Sequence, residues 1–249
     1  MKRKAPDEEI QPVIDGIRAQ AAERELDPVV ASTDVFMTAV CYVGSKSLSH
    51  VLACIDRSKG RLLDDATASE PARAQIVSSV MQYWHAHPGV ALSILEKLLN
   101  YSILTPLSVV DWVLVASTAV SGAGNGDSLA QPHVFELVSN TVGKVTSRVR
   151  QLHSSPDADD ETAAKEAAAM RDMFRTMNDA LSSWAAGSKD ELMESGDGSS
   201  DREALLREWG QRWLRVYQRK AALEEAFLID AAKSKASAAA STEMVTDDA

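Results

Sequence analysis

Apolar residues recur three and four positions apart in segment after segment of this chain, the period of one helix face. The pattern is sharpest over residues 72–114. Ile76, Val80, Tyr83 and Trp84 share a face until His87-Pro88-Gly89 stops the segment. The residue before a proline is driven out of the helical region, and glycine lets the chain turn. Val90, Ile94, Leu95, Leu98 and Leu99 make the next face. Two amphipathic helices across such a stop predict an αα-hairpin. Thr105 as N-cap and Pro106 at the first helical position open a third helix, with Val109, Val110, Trp112, Val113 and Leu114. A lone hairpin leaves an apolar face bare, so it must stack on similar hairpins.

The rest of the chain supplies them. Asp7-Glu8-Glu9 opens a helix running to about Arg24, with acids in its first turn. Ser32-Thr33-Asp34 offers N-caps for a helix with Val35, Phe36, Ala39, Val40 and Val43, broken by Gly44-Ser45. A partner helix starts near Ser47 and carries Leu48, Val51, Leu52, Ile55, Leu62 and Leu63. Ser69-Glu70-Pro71 caps the next one. Residues 118–131 have turn composition and read as an exposed loop. Pro132 opens a helix to about Leu152, and an alanine-rich helix follows over 161–186. These two are expected to pair antiparallel and project as a short coiled coil. A last helix runs from Ser200-Asp201 to about Lys233, with a stripe of Leu206, Trp209, Trp213, Val216, Leu223 and Phe227. The polar, acidic loop 187–200 is expected to be mobile, and the low-complexity end 236–249 disordered. The expectation is an all-α domain over 1–235, built of stacked antiparallel hairpins in the manner of a HEAT- or ARM-like α-solenoid with one short protruding pair.

Composition changes this picture little. The chain has 249 residues, 45% of them hydrophobic, enough for one sizeable core. Its net charge of −10 argues against non-specific nucleic-acid binding by the chain as a whole. Cys41 and Cys54 both fall in apolar helical pattern, which fits buried thiols in a reducing compartment. The N-terminus has no apolar h-region, and Leu107–Val120 is interrupted by Asp111 and too short to span a bilayer. An intracellular, soluble protein with no membrane partner is expected.

Candidate chemistry is sparse. His85 and His87 are two apart, on nearly opposite sides of a helix, and cannot chelate one metal there. His50 and Cys54 share a face but supply half of a structural zinc shell. Gly122–Gly126 lacks the lysine and the strand–turn–helix setting of a phosphate loop. The acids of 157–161 and 190–203 lie in loops. No catalytic residue, metal site or cofactor is expected, and an enzyme ranks last among the readings. Arg212, Arg215 and Arg219 lie off the apolar stripe of the last helix, as a solvent-facing row or as a docking face for an acidic partner or RNA phosphates. Lys46, Ser47, Ser49 and His50 bunch at a hairpin turn, a candidate partner interface; the alternative is that the serines merely cap the helix.

The residues themselves carry a resemblance. VMQYWHAHPGVALSILEKLLNYSIL followed by VVDWVL resembles the large subunit of the nuclear cap-binding complex, fungal-type, in the last of its three tandem helical domains. That domain is similar to the middle domain of the translation-initiation scaffold four-G. VFMTAVCYVGSKSLSHVLACID resembles the family's hairpin with a Lys-Ser-x-Ser-His run, here Lys46 to His50. The paired helices at 132–186 sit where the family has its coiled-coil excursion, and the helix with Trp209 and Trp213 resembles its closing helices. The match covers about residues 5–230, by order and spacing of packing motifs. The resemblance implies a nuclear scaffold, shuttling to the cytoplasm, that serves splicing, export and decay of capped transcripts. It implies a partner, the small cap-binding subunit with its RNA-recognition motif, and contact with capped RNA only through that subunit. A free-standing helical-repeat adaptor in RNA decay or translation initiation is the other reading.

Overall fold

The computed structural model describes residues 7–115, 127–155, 158–187 and 199–246. Among them the chain is all α-helix apart from turns and one 3-10 turn. The helices are α1 (Asp7–Glu23), α2 (Pro28–Gly44), α3 (Leu48–Ala68), α4 (Glu70–Tyr83), α5 (Pro88–Asn100), α6 (Pro106–Leu114), α7 (Pro132–Ser154), α8 (Asp160–Ala186) and α9 (Ser199–Thr246). The described helices include none long and apolar enough to cross a membrane. Contacts divide the chain into two compact units, Met1–Leu137 and Val138–Ala249.

In the first unit α2 pairs with α3 and α4 with α5, and α4 also meets α2, α3 and α6. That position explains its unusual pattern. Ala72 and every residue from Gln75 to Val80 are buried, three polar ones among them. Ile76, Val77 and Val80 supply about 1.5–3 kcal/mol each by burial. Gln75, Ser78 and Ser79 are tolerated because each has a partner on a neighbouring helix or its own. Asp34 of α2 accepts from Gln75 Nε2 at 2.9 Å and from Ser79 Oγ at 2.7 Å. Trp112 Nε1 of α6 donates to Ser78 Oγ at 2.7 Å. Arg18 of α1 bridges Ser32 of α2 and Asp65 of α3 at 3.0 and 3.1 Å.

Local signals set the helix ends. Thr105 and Ser108 form a reciprocal capping box at α6, and Ser47 and Ser69 cap α3 and α4. The expected caps of α2 are misplaced. Asp27 is the N-cap, accepting from Val29 N and Val30 N, with Pro28 at the first helical position. Ser32 and Thr33 therefore lie inside the helix and are buried. Gly44 does close α2 as expected, but for a different reason than turning. A Cβ there would stand 2.4 Å from Val51 Cα, so the absence of a side chain is what lets α2 and α3 approach.

In the second unit α8 packs along α9. Ala163 and Ala167 on α8 are small and buried, and Gly210 of α9 backs onto Trp184 and Ala185 at about 3 Å from its missing Cβ. The missing side chain of Gly210 permits the close approach at that end of the pair. α9 reaches α7 through Ser139 and Tyr217, 3.0 Å apart, and through Arg150 and Glu224 at 2.6 Å. Its buried stripe is Leu206, Gly210, Trp213, Tyr217, Glu224 and Leu228. Val216 and Leu223, expected inside, are 47% and 55% exposed. Helix α9 also continues to Thr246, past the expected end near Lys233. Residues 188–198, most of the expected loop, and 116–126 lie outside the described residues.

Glycine substitutions test the α2–α3 approach. Gly44→Ala should lower stability by about 1–3 kcal/mol through overpacking. Gly60→Ala on exposed α3 backbone, where a Cβ meets nothing within 4 Å, should raise it by about 0.5–1 kcal/mol. Urea unfolding of the two variants gives both signs.

Glu224 predicts an acid dependence. Burial raises its carboxyl, but the bonds from Arg150 and Lys220 together outweigh that and hold it below the ordinary value of 4.5. A depressed acid contributes stability that is fully present above the ordinary value and is lost as pH falls through the folded one. Urea midpoints should decline as pH drops below 4.5. Glu224→Gln should flatten that part of the profile.

Candidate functional site

The turn between α2 and α3 is built by its own backbone and serines. Ser45 Oγ donates to Tyr42 O at 2.9 Å, and Ser47 N reaches Gly44 O at 3.4 Å. Ser47 Oγ accepts from His50 N at 3.2 Å, so Ser47 is the N-cap of α3. Lys46, Ser49 and His50 are exposed on the same turn. Tyr42, 57% exposed, and Leu48, 39% exposed, lie beside them. A basic residue, a histidine, an aromatic ring and an aliphatic side chain thus share one hairpin tip. Tyr42 was invisible to periodicity, because an outward tyrosine at the end of an apolar helix breaks no pattern.

Other candidate groups are spent on structure. His85 and His87 lie in the turn between α4 and α5, where a helix was expected to hold them. Helix α4 stops at Tyr83, and His85 Nδ1 lies 2.9 Å from Gln82 O. His50 faces solvent while Cys54 is buried, with Arg57 Nη2 donating to its sulfur at 3.0 Å. Among the described residues, no three or more His, Cys, Asp or Glu gather where they could hold a metal ion. Burial pushes the Cys41 thiol up to about 12, with a bond involving Trp84 opposing the rise, so it is no thiolate nucleophile. Burial also raises the carboxyls of Asp65 and Asp111; Arg18 opposes this at Asp65, and Glu70 adds to it at Asp111. Gly122–Gly126 and residues 190–198 of the acidic loops lie outside the described residues.

A groove of about 330 Å³ runs between α8 and α9. Its polar side chains already hold one another. Arg171 grips Glu225 through two bonds of 2.7 and 3.0 Å, Arg175 meets Asp172 at 2.8 Å, and Gln218 donates to Asn178 at 2.9 Å. Burial pushes the Tyr217 phenol at its floor up to about 12, against a lowering bond from Ser139. Such a lining offers neither a nucleophile nor a general base at neutral pH. Of the arginine row on α9, Arg212 pairs with Glu208 and stacks over Trp209 at 5.0 Å, while Arg215 and Arg219 are exposed. Trp213 is core, 1% exposed.

Comparison with known proteins adds a family to this geometry. A family model described as MIF4G like matches residues 1–226. Nuclear cap-binding protein subunit 1 of Schizosaccharomyces pombe is 23% identical over 155 residues, 58% of this chain and 19% of that protein. The same-named protein of Aedes aegypti is 30% identical over 120 residues, 48% of this chain and 14% of that one. That of Anopheles gambiae is 29% identical over 132 residues, 53% and 15%. The chain thus spans less than a fifth of the length of these curated relatives. Neither the family nor these relatives is named for a catalytic activity.

Serine substitutions separate capping from contact at the hairpin tip. Ser47→Ala should lower stability by about 1 kcal/mol, the worth of an N-cap. Ser49→Ala, at an exposed position, should change it by less than about 0.5 kcal/mol. Thermal unfolding of both variants reads the difference.

Proposed function

Because the chain belongs to the MIF4G-like family, we propose that it is a scaffold domain of a nuclear cap-binding complex. In this reading it helps to hold the small cap-binding subunit, which carries an RNA-recognition motif, and meets capped RNA through that subunit alone. Its place of work is the nucleus, with shuttling to the cytoplasm, and its processes are splicing, export and decay of capped transcripts. The observation that carries the reading is the alignment with nuclear cap-binding protein subunit 1 from a yeast and two insects.

The arrangement of aromatics supports the division of labour. Cap recognition wants exposed aromatic planes around a charged base. Trp84, Trp112, Trp184 and Trp213 are 8%, 6%, 3% and 1% exposed. Trp209 is half-buried beneath the Arg212 guanidinium. The four buried rings fill the core and the fifth is covered by a guanidinium, which leaves the base to another protein. The proposed contact with the small subunit is the tip formed by Lys46, Ser47, Ser49 and His50, extended by Tyr42 and Leu48. Tyrosine and an aliphatic neighbour beside polar groups match the make-up of protein interfaces.

A fluorescent cap analogue titrated onto the full chain should show no binding without the small subunit and saturable binding with it. Lys46→Glu combined with His50→Ala should weaken capture of the small subunit by about tenfold. Cap binding by the chain alone would overturn the scaffold reading. Undiminished capture by the double variant would overturn the assignment of the tip.

A further inference from the structure

Helix α9 carries a second stripe, turned away from its buried one. Leu205, Trp209, Arg212, Val216, Arg219 and Leu223 recur at alternating steps of four and three. Leu205, Val216 and Leu223 are 46%, 47% and 55% exposed, and Arg212 and Arg219 are exposed with them. Arg219 makes no ion pair among the described residues, and Arg212 is held by Glu208 and the Trp209 ring. We propose that this stripe is a docking seam for an acidic amphipathic helix of a partner protein. The proposal does not depend on the cap-binding reading.

The spacing argues for a helix as the occupant. Steps of four and three average 3.5 residues, the repeat that keeps a line of side chains facing a second helix. From Leu205 to Leu223 the line is about 27 Å long at 1.5 Å per residue. A loop or a globular knob would use only part of such a line. One row of the seam is Trp209, Val216 and Leu223, apolar throughout. The other is Leu205, Arg212 and Arg219, apolar and then twice cationic.

The charges argue for acid on the partner. In a parallel pair of α9 copies, Arg212 and Arg219 would face their own equivalents. In an antiparallel pair they would face Val216 and Leu223 and be desolvated without a counter-charge, which is costly. Glutamates opposite the arginines, with leucines opposite Val216 and Leu223, satisfy both rows. The seam is also a locally basic line on a chain of net charge −10. RNA fits less well, because phosphates would gain from the arginines and nothing from Val216 and Leu223.

The test uses the full chain and a fluorescein-labelled synthetic helix of about three heptads, with leucine and glutamate in alternate seam rows. Its twin has lysine for each glutamate, and a single-stranded RNA oligonucleotide is the third probe. The glutamate peptide should bind and the lysine twin should not. Arg212→Glu with Arg219→Glu should weaken the glutamate peptide by about tenfold or more and shift preference to the twin. Val216→Ser with Leu223→Ser should weaken binding without shifting preference. All four positions are exposed, and an unchanged melting temperature verifies that each variant folds. No binding of the glutamate peptide, equal binding of both peptides, or indifference to either variant pair would overturn the proposal. So would RNA binding lost in the arginine variant, or a dimer by sedimentation that both variants dissolve.

Discussion

Helix α4 is the constraint on which the first unit rests. It is buried on nearly every side over Gln75–Val80, and a helix in that position must either be wholly apolar or have its polar atoms answered. The answer comes from two other helices, α2 and α6. Asp34 must sit where it can take both Gln75 and Ser79, which fixes α2 against α4. Trp112 must reach Ser78, which fixes α6. Arg18, between Ser32 and Asp65, does the same for α1, α2 and α3. Apolar burial supplies most of the free energy and is indifferent to small slides between helices. The directional bonds select one arrangement among the many that bury similar area.

The second unit meets the same requirement with charge. Glu224 is 1% exposed and would be intolerable alone. Arg150 from α7 and Lys220 from one turn earlier in α9 hold it at 2.6 and 3.0 Å. The pairing costs less than full burial of three charges would, because Arg150 and Lys220 keep 45% and 40% of their side chains in water. Tyr217 and Ser139 add a neutral link along the same two helices. Close contact between α8 and α9 at one end of the pair comes from Gly210 against the Trp184–Ala185 backbone.

What the sequence made legible is what adjacent residues decide. Helix number, hairpin order and the caps at Ser47, Ser69 and Thr105 follow from periodicity and short-range hydrogen bonds. What it hid depends on partners far along the chain. Ser78 reads as a solvent residue until Trp112, 34 positions later, is known to donate to it. Glu224 reads as a surface acid until Arg150, 74 positions earlier, is placed beside it. That hidden acid also goes with a one-residue shift of the stripe in the later part of α9, while Leu206 and Trp213 are buried as expected. Val216 and Leu223 are the better apolar match, but Tyr217 and Glu224 have the partners. Ser32 and Thr33 looked like caps because their side chains favour that role, while Asp27-Pro28 performs it a turn earlier. At the hairpin tip the serine cap was readable, and the exposed Tyr42 was not.

The two surfaces proposed for partners differ in how they are formed. The tip at Lys46–His50 is fixed by a backbone approach that permits no side chain at residue 44 and by a serine cap, so its side chains leave from a rigid base. Binding there would forgo the ordering entropy that a flexible loop must give up. The seam on α9 arises from a mismatch of periods. A helix turning every 3.6 residues can present one line to its own unit and a different line, repeating every 3.5, to a neighbour. Val216 and Leu223 satisfy the second repeat while Tyr217 and Glu224 satisfy the first. An apolar pattern that fails as a core stripe therefore still carries information: among the described residues it marks a line that α9's own unit leaves uncovered.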